Sequence, residues 1–249
     1  ISQFLVPLFD GFSPEMIYTI ERSAWWIHIL GILTFLNYLY YSKHLHILLA
    51  FPNTFFANLN PKGQFTNDAN VTKEVMMMMD PDADPYAMPE EGAEEEVSTF
   101  GAKDVTDLSW VNLLNAYTCT ECGRCTSECP ANLTGKKLSP RKIMMDTRDR
   151  LEEVGKNIDA NNGEFKDDGK NLFDWISKEE IWACTSCNAC VETCPVNIDP
   201  LSIIMDMRRY LVMEESAAPT ELNNMMQNVE NNGAPWPYNQ MDRLKWVDE

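Results

Sequence analysis

Hydrophobic and polar positions divide the chain into three regimes. From residue 24 to 41 the chain reads AWWIHILGILTFLNYLYY, eighteen residues without a formal charge. A helix of that length spans about 27 Å, close to the hydrocarbon core of a bilayer. Trp25 and Trp26 stand at one end of the run and Tyr38, Tyr40 and Tyr41 at the other, where an aromatic belt places such rings. Lys43 follows, which orients that end toward the cytoplasm. No basic region precedes the run and no small-residue cleavage site follows it, so it does not read as a signal peptide. The pattern predicts a transmembrane helix.

The second regime, 67–109, has no periodicity, is rich in proline, and carries twelve Asp or Glu against two Lys. It reads as an extended acidic linker, with Met76 to Met79 as a packing anchor rather than a soft-metal site. The third regime is periodic. Apolar residues at 143, 144 and 151, and again at 203, 204 and 211, recur at helical spacing. Segments 139–151 (SPRKIMMDTRDRL) and 199–211 (DPLSIIMDMRRYL) match at an offset of 60, pairing Pro140 with Pro200, Ile143 with Ile203, Asp146 with Asp206 and Arg148 with Arg208. Ser139 and Asp199 stand where N-caps stand, each followed by proline at the first helical position. Trp110 and Trp175 lie nine residues ahead of equivalent cysteines. Two copies of one unit follow: helix, loop, proline, helix.

The expected fold is therefore mainly α, a transmembrane helix followed by an α-helical domain of two like units, which the cysteines below make a double-cluster ferredoxin domain. The expected divisions are a membrane segment over 1–60, an acidic linker over 61–106, the helical domain over 107–215 and a docking tail over 216–249. The tail carries Trp236, Tyr238 and Trp246, aromatics of the kind that mark docking segments. The formal net charge of −18 argues against a nucleic-acid partner.

The chemistry sits between the paired helices. All eight cysteines fall in two copies of Cys-x-x-Cys-x-x-Cys-x-x-x-Cys-Pro: Cys119, Cys122, Cys125 and Cys129, then Cys184, Cys187, Cys190 and Cys194. This is the bacterial ferredoxin run for [4Fe–4S] clusters, in which the fourth cysteine serves the other cluster. The expected ligand sets are Cys119, Cys122, Cys125 and Cys194 for one cluster, and Cys184, Cys187, Cys190 and Cys129 for the other. Structural zinc usually uses paired two-cysteine knuckles without a third cysteine at the same interval. Disulfides need an oxidising compartment, for which the chain offers no argument.

The three histidines are His28, His44 and His46. His28 and His46 are eighteen residues apart, five turns of helix, so one regular helix would carry them on one face about 27 Å apart. His44 would point elsewhere. A polar residue at membrane depth is a functional hypothesis by default, and imidazole is a common axial ligand of haem iron. His28 and His46 are the candidates for haem b.

Residues 27–56, IHILGILTFLNYLYYSKHLHILLAFPNTFF, resemble the last transmembrane helix of the cytochrome b subunit of respiratory nitrate reductases. In that family two histidines of this helix help to ligate two b haems, and His28 and His46 occupy the matching places. The order of membrane segment, acidic linker and double ferredoxin is similar to that of membrane-bound iron–sulfur oxidoreductases of the heterodisulfide-reductase type, including electron-transfer-flavoprotein:menaquinone oxidoreductases. The resemblance covers about 14–60 and 105–215. It implies an electron-transfer subunit at the cytoplasmic membrane, with its ferredoxin domain on the cytoplasmic side. Two [4Fe–4S] clusters would link a soluble donor or acceptor, a flavoprotein or a Cys-Cys-Gly iron–sulfur subunit, to haem b and the membrane quinone pool. A cytochrome b domain has several helices. The single span and the start at Ile1 therefore suggest the C-terminal portion of a longer polypeptide, with the remaining haem ligands on another helix.

No glycine-rich nucleotide loop is present, and the clusters would use every thiol, so substrate chemistry is expected on a partner. The other reading is an anchored ferredoxin-like subunit of a succinate-dehydrogenase-like or other dehydrogenase without haem.

Overall fold

A computed structural model describes residues 2–61, 63–80 and 99–247. Among them are eleven α-helices and no strand: α1 Pro14–Leu39, α2 His46–Phe55, α3 Ala69–Met79, α4 Trp110–Thr118, α5 Arg124–Ser127, α6 Pro130–Leu133, α7 Pro140–Ala160, α8 Lys178–Ala183, α9 Ala189–Glu192, α10 Pro200–Met213 and α11 Thr220–Asn232. Short 3-10 turns fill several connections.

The two long helices of the repeat start alike. Ser139 accepts the N–H of Lys142 at 3.3 Å and Asp199 that of Ser202 at 3.0 Å, each with proline at the next position. A side-chain oxygen satisfies one N–H that the first turn leaves unpaired, and proline has no N–H to lose there. α7 and α10 pack on each other through Ile143, Met144, Ile203, Ile204, Met207 and Leu211, all fully buried.

The repeat also extends upstream of the cysteines. Asp104 and Asp107 form a capping box around the 3-10 turn Val105–Asp107, and Asn171 and Asp174 do the same around Leu172–Asp174. Val105 and Leu172 are both fully buried, and the Leu172 N–H donates to the Lys103 carbonyl at 3.3 Å. Ser109 then caps α4 and Ser177 caps α8. Gly101 takes φ +74 where its backbone touches Asp206 and Tyr210 on α10; a Cβ there would collide with that backbone.

The expected transmembrane helix over 24–41 is corrected: among the described residues no helix is long and apolar enough to cross a membrane. α1 carries Glu15, Glu21 and Arg22 in its first half, and its uncharged part is diluted by Trp25, Trp26, His28, Thr34, Asn37 and Tyr38. It also stops at Leu39, so 24–39 reaches only about 24 Å. The cause of the stop is Ser42. Its Oγ accepts the His44 N–H at 3.2 Å and starts a separate 3-10 turn, Lys43–Leu45, from which α2 continues. A serine hydroxyl offers the backbone this alternative to helix continuation. The same break removes the premise that His28 and His46 share one face of one helix. His28 is exposed on α1, and His46 opens α2 with its Nδ1 2.6 Å from the Lys43 carbonyl oxygen.

Residues 69–79, expected as extended linker, form α3, because Asp68 accepts the N–H groups of Asn70 (2.9 Å) and Val71 (3.3 Å) and so caps a helix. Met76 to Met79 are its exposed last turn. Residues 81–98 of the expected acidic linker lie outside the described residues.

Candidate iron–sulfur centres

Each cysteine loop begins as a helix ends. Cys119 is the C-cap of α4 with φ −63 and ψ 121, and Cys184 is the C-cap of α8 with φ −68 and ψ 129. Two residues later each chain enters the left-handed region, at Glu121 (φ 59) and Ser186 (φ 56), and again at Gly123 (φ 83) and Asn188 (φ 60). These four sites keep the 65-residue offset of the cysteines. Left-handed residues turn the chain within few bonds, which lets three thiols of one loop face the same space. The single turns α5 and α9 carry Cys125 and Cys190, and they pack against each other. That contact brings the two loops together.

Cys119, Cys122, Cys125 and Cys194 line one cavity of about 70 Å³, closed by Met144, Pro195, Val196 and Ile198 and reached by Cys190 from the other loop. Cys129, Cys184, Cys187 and Cys190 line a second, tighter one of about 10 Å³, against Leu138, Pro140, Leu201 and Ile204. Cys129 thus lies with the second motif and Cys194 with the first. We refer to these groups as the Cys119 set and the Cys184 set. Cys122 and Cys187 are exposed, whereas Cys129 and Cys190 are buried.

The donor chemistry fits iron–sulfur clusters. Among the described residues no group of three or more His, Cys, Asp or Glu is gathered for a single metal ion. The thiols instead line the wall of a space, as a four-iron cube requires when each corner takes one thiolate. Sulfur also receives backbone donors: the Ser186 N–H to Cys184 Sγ at 3.4 Å and the Ile198 N–H to Cys194 Sγ at 3.3 Å. Hydrogen bonds of this kind tune a cluster's potential. Burial raises the thiols of Cys119 and Cys184, pushes Cys125 up to about 11 and Cys190 up to about 12. Such thiols stay protonated in water-free surroundings unless a metal takes the proton's place.

Charged residues behind the loops are not legible from the motif. Arg148 on α7 reaches Glu121 at 3.0 Å, and Lys43 reaches the same carboxylate at 3.3 Å. Burial alone would raise the Glu121 carboxyl, but these two cations hold it below its ordinary value. Arg208, the repeat partner of Arg148, instead donates to the carbonyls of Ile181 (2.8 Å) and Cys184 (2.5 Å) and to Ser186 Oγ (3.2 Å), and covers the Trp182 ring at 5.0 Å. The signal in the sequence is the offset pairing of Arg148 with Arg208 and of Glu121 with Ser186.

Comparison with known proteins agrees with this geometry. Residues 118–198 match a family model described as a 4Fe-4S dicluster domain. The chain is 32% identical over 260 aligned positions to "Probable iron-sulfur-binding oxidoreductase FadF" of Bacillus subtilis, covering 91% of this chain and 33% of that protein. It is 29% identical to "EtfAB:quinone oxidoreductase" of Syntrophomonas wolfei, covering 97% of this chain and 33% of that protein. Over 107 residues it is 31% identical to one subunit of the ferredoxin/F(420)H(2)-dependent CoB-CoM heterodisulfide reductase of Methanosarcina acetivorans, covering 43% of this chain and 52% of that protein. The chain spans about a third of the length of the first two of these curated relatives. The first two relatives are named as oxidoreductases, one of them iron–sulfur-binding, and the dicluster match over 118–198 takes in both four-cysteine motifs of this chain.

Proposed function

We propose that this chain is the iron–sulfur electron-transfer part of a quinone-linked oxidoreductase, holding one [4Fe–4S] cluster on the Cys119 set and one on the Cys184 set. The observation that carries the reading is the pair of adjacent cavities, each lined by thiols drawn from both motifs, with Cys190 at the wall of both. When bound, the clusters supply one-electron storage at two neighbouring points. The chain's own residues do the rest. Cysteines fix the positions, the N–H groups of Ser186 and Ile198 and the cation of Arg208 favour added negative charge, and Ile198, Leu201 and Ile204 exclude water. No thiol is left for covalent chemistry, so bond making and breaking belong to a partner subunit, a flavoprotein or another iron–sulfur protein.

The quinone link rests on the named activity of the Syntrophomonas relative. A quinone as the other electron partner would place the chain at the cytoplasmic membrane, with the ferredoxin unit on the reducing, cytoplasmic side. The exposed apolar side chains of α1, among them Trp25, Trp26, Ile27 and Leu30, support contact with an apolar partner. Haem b belongs to this proposal, with His28 and His46 as ligands of two separate haems. The supporting feature is at His46: a proton on Nδ1 donated to the Lys43 carbonyl at 2.6 Å leaves Nε2 free for a metal.

The test uses the purified full-length protein with its partners. Cluster EPR signals should appear on reduction by dithionite and vanish on addition of a water-soluble quinone. Signals that persist with excess quinone would sink the quinone link while leaving the clusters standing. Absorbance of a reduced b-type haem, lost in His46→Ala and retained in His44→Ala, is the expected outcome for the haem ligand.

A further inference from the structure

The contacts of residues 40–56 with the ferredoxin unit lie nearest one of the two centres, whereas the Thr66 carbonyl further along accepts from Arg209 on α10. Among the described residues, polar and ring contacts help to join 40–56 to that unit. Lys43 Nζ lies 3.3 Å from Glu121, in the loop between Cys119 and Cys122. Asn53 Nδ2, on a buried side chain of α2, donates at 2.8 Å to the carbonyl of Val196, two residues beyond Cys194. The Phe56 ring meets Trp110 edge-on at 4.8 Å, at the start of the helix that leads into Cys119. The first two end at the Cys119 set, and the third at the far end of the helix that leads into it. Glu121 passes the link on to Arg148 at 3.0 Å.

The second unit has the same architecture, but its cysteine loop carries no carboxylate in the place of Glu121. Its residue at the equivalent loop position is Ser186, whose hydroxyl accepts from Arg208 at 3.2 Å, and the other polar partners of Arg208 are carbonyls of its own unit. One loop therefore carries a carboxylate tied to the N-terminal segment, while its repeat carries a neutral hydroxyl tied inward. A charge near a cluster shifts its potential by acting on the extra electron. Glu121 is mostly buried, its side chain 18% exposed, so the effect of its charge is only partly screened.

We propose that the turn around Lys43, together with α2, is the electrical contact of the Cys119 set. Lys43, acting through Glu121, positions that loop and sets the potential of the cluster held by Cys119, Cys122, Cys125 and Cys194, and not that of its neighbour. The Cys119 set is then the exchange port toward whatever the N-terminal segment engages, and the Cys184 set faces the other electron partner. This inference rests on the electron-transfer reading above.

EPR-monitored redox titration of the full chain with its clusters tests it. Cys122→Ser and Cys187→Ser assign the signals to the two sets. Lys43→Glu should make reduction of the Cys119 set at least threefold less favourable, about 28 mV at 59 mV per tenfold for one electron. Glu121→Gln should move it the opposite way, and Lys43→Arg should leave it in place. The Cys184-set midpoint should stay unchanged in all three. A shift confined to the Cys184 set, an equal shift in both, or no shift in either would overturn the inference alone. A chain that takes up no iron would overturn the electron-transfer reading itself.

Discussion

Arg150 is the residue on which the ferredoxin unit's polar interior is organised. Its side chain is fully buried, and it holds Asp104 at 2.6 Å, Asp168 at 2.6 Å and the Lys170 carbonyl at 2.9 Å. One guanidinium thus ties α7 to the segment before α4 and to the loop before α8. Its planar fork with several donors suits such a junction, and lysine could not replace it. Arg150→Met would leave two carboxylates facing a buried space without a partner. Loss of one member of a buried pair costs about 3–5 kcal/mol, so the urea midpoint of the cluster-loaded protein should fall sharply. The same pair sets a pH dependence. Hydrogen bonds from Arg150, ahead of the partial burial that opposes them, hold the Asp168 carboxyl down at about 2 from an ordinary 3.8. A carboxyl lowered in the folded state contributes stability that is complete above about pH 4 and is lost as the pH falls from there through 2.

At the scale of elements, legibility follows whether the deciding chemistry is local. The caps Ser139 and Asp199, the prolines after them and the core positions 143, 144, 203, 204 and 211 can be read directly, because N-capping and helical spacing act within one or two turns. The run 24–41 misleads for the opposite reason. Its hydrophobicity suggests one straight helix, but Ser42 competes for the His44 N–H and ends it, a local hydroxyl outweighing the pattern around it. Asp68 likewise makes a helix of residues whose composition resembles linker. The Arg150 network is not readable, since its partners are 46 and 18 residues away. The upstream repeat, Lys103-Asp104-Val105 against Lys170-Asn171-Leu172, is readable but hidden by a two-residue change of offset before the cysteines. The cysteine exchange belongs to this scale too. Cys129 ends its loop at the N-terminus of α6, beside Cys184, Cys187 and Cys190. Cys129→Ser should therefore perturb the EPR signal that Cys187→Ser also perturbs. Loss instead of the signal that depends on Cys122 would show that each motif binds its own cluster.

At the scale of the whole molecule, the placement of charge and apolar surface separates a redox unit from its attachments. The ferredoxin unit buries its apolar residues around the eight cysteines, while α1, α3 and the tail expose theirs: Met78, Met241 and Trp246 are each more than 70% exposed. Packed cores need no partner, whereas exposed apolar surface of this extent does. The redox unit should then keep its clusters when its attachments are altered, because both ligand sets are complete within 119–194. The full chain should carry about eight irons and about eight acid-labile sulfides, with almost no thiol reactive toward Ellman's reagent, because the two proposed ligand sets take every cysteine. Removal of iron by a chelator under reducing conditions should release about eight reactive thiols. It should also loosen the core, because metal-binding free energy is folding free energy where the ligands' elements are this short, α5, α6 and α9 being single turns. Far-UV circular dichroism should then lose helix signal in step with thiol release. Iron near four per chain with four reactive thiols, or stoichiometric zinc in place of iron, would mean that one of the two cavities does not hold the cluster assigned to it.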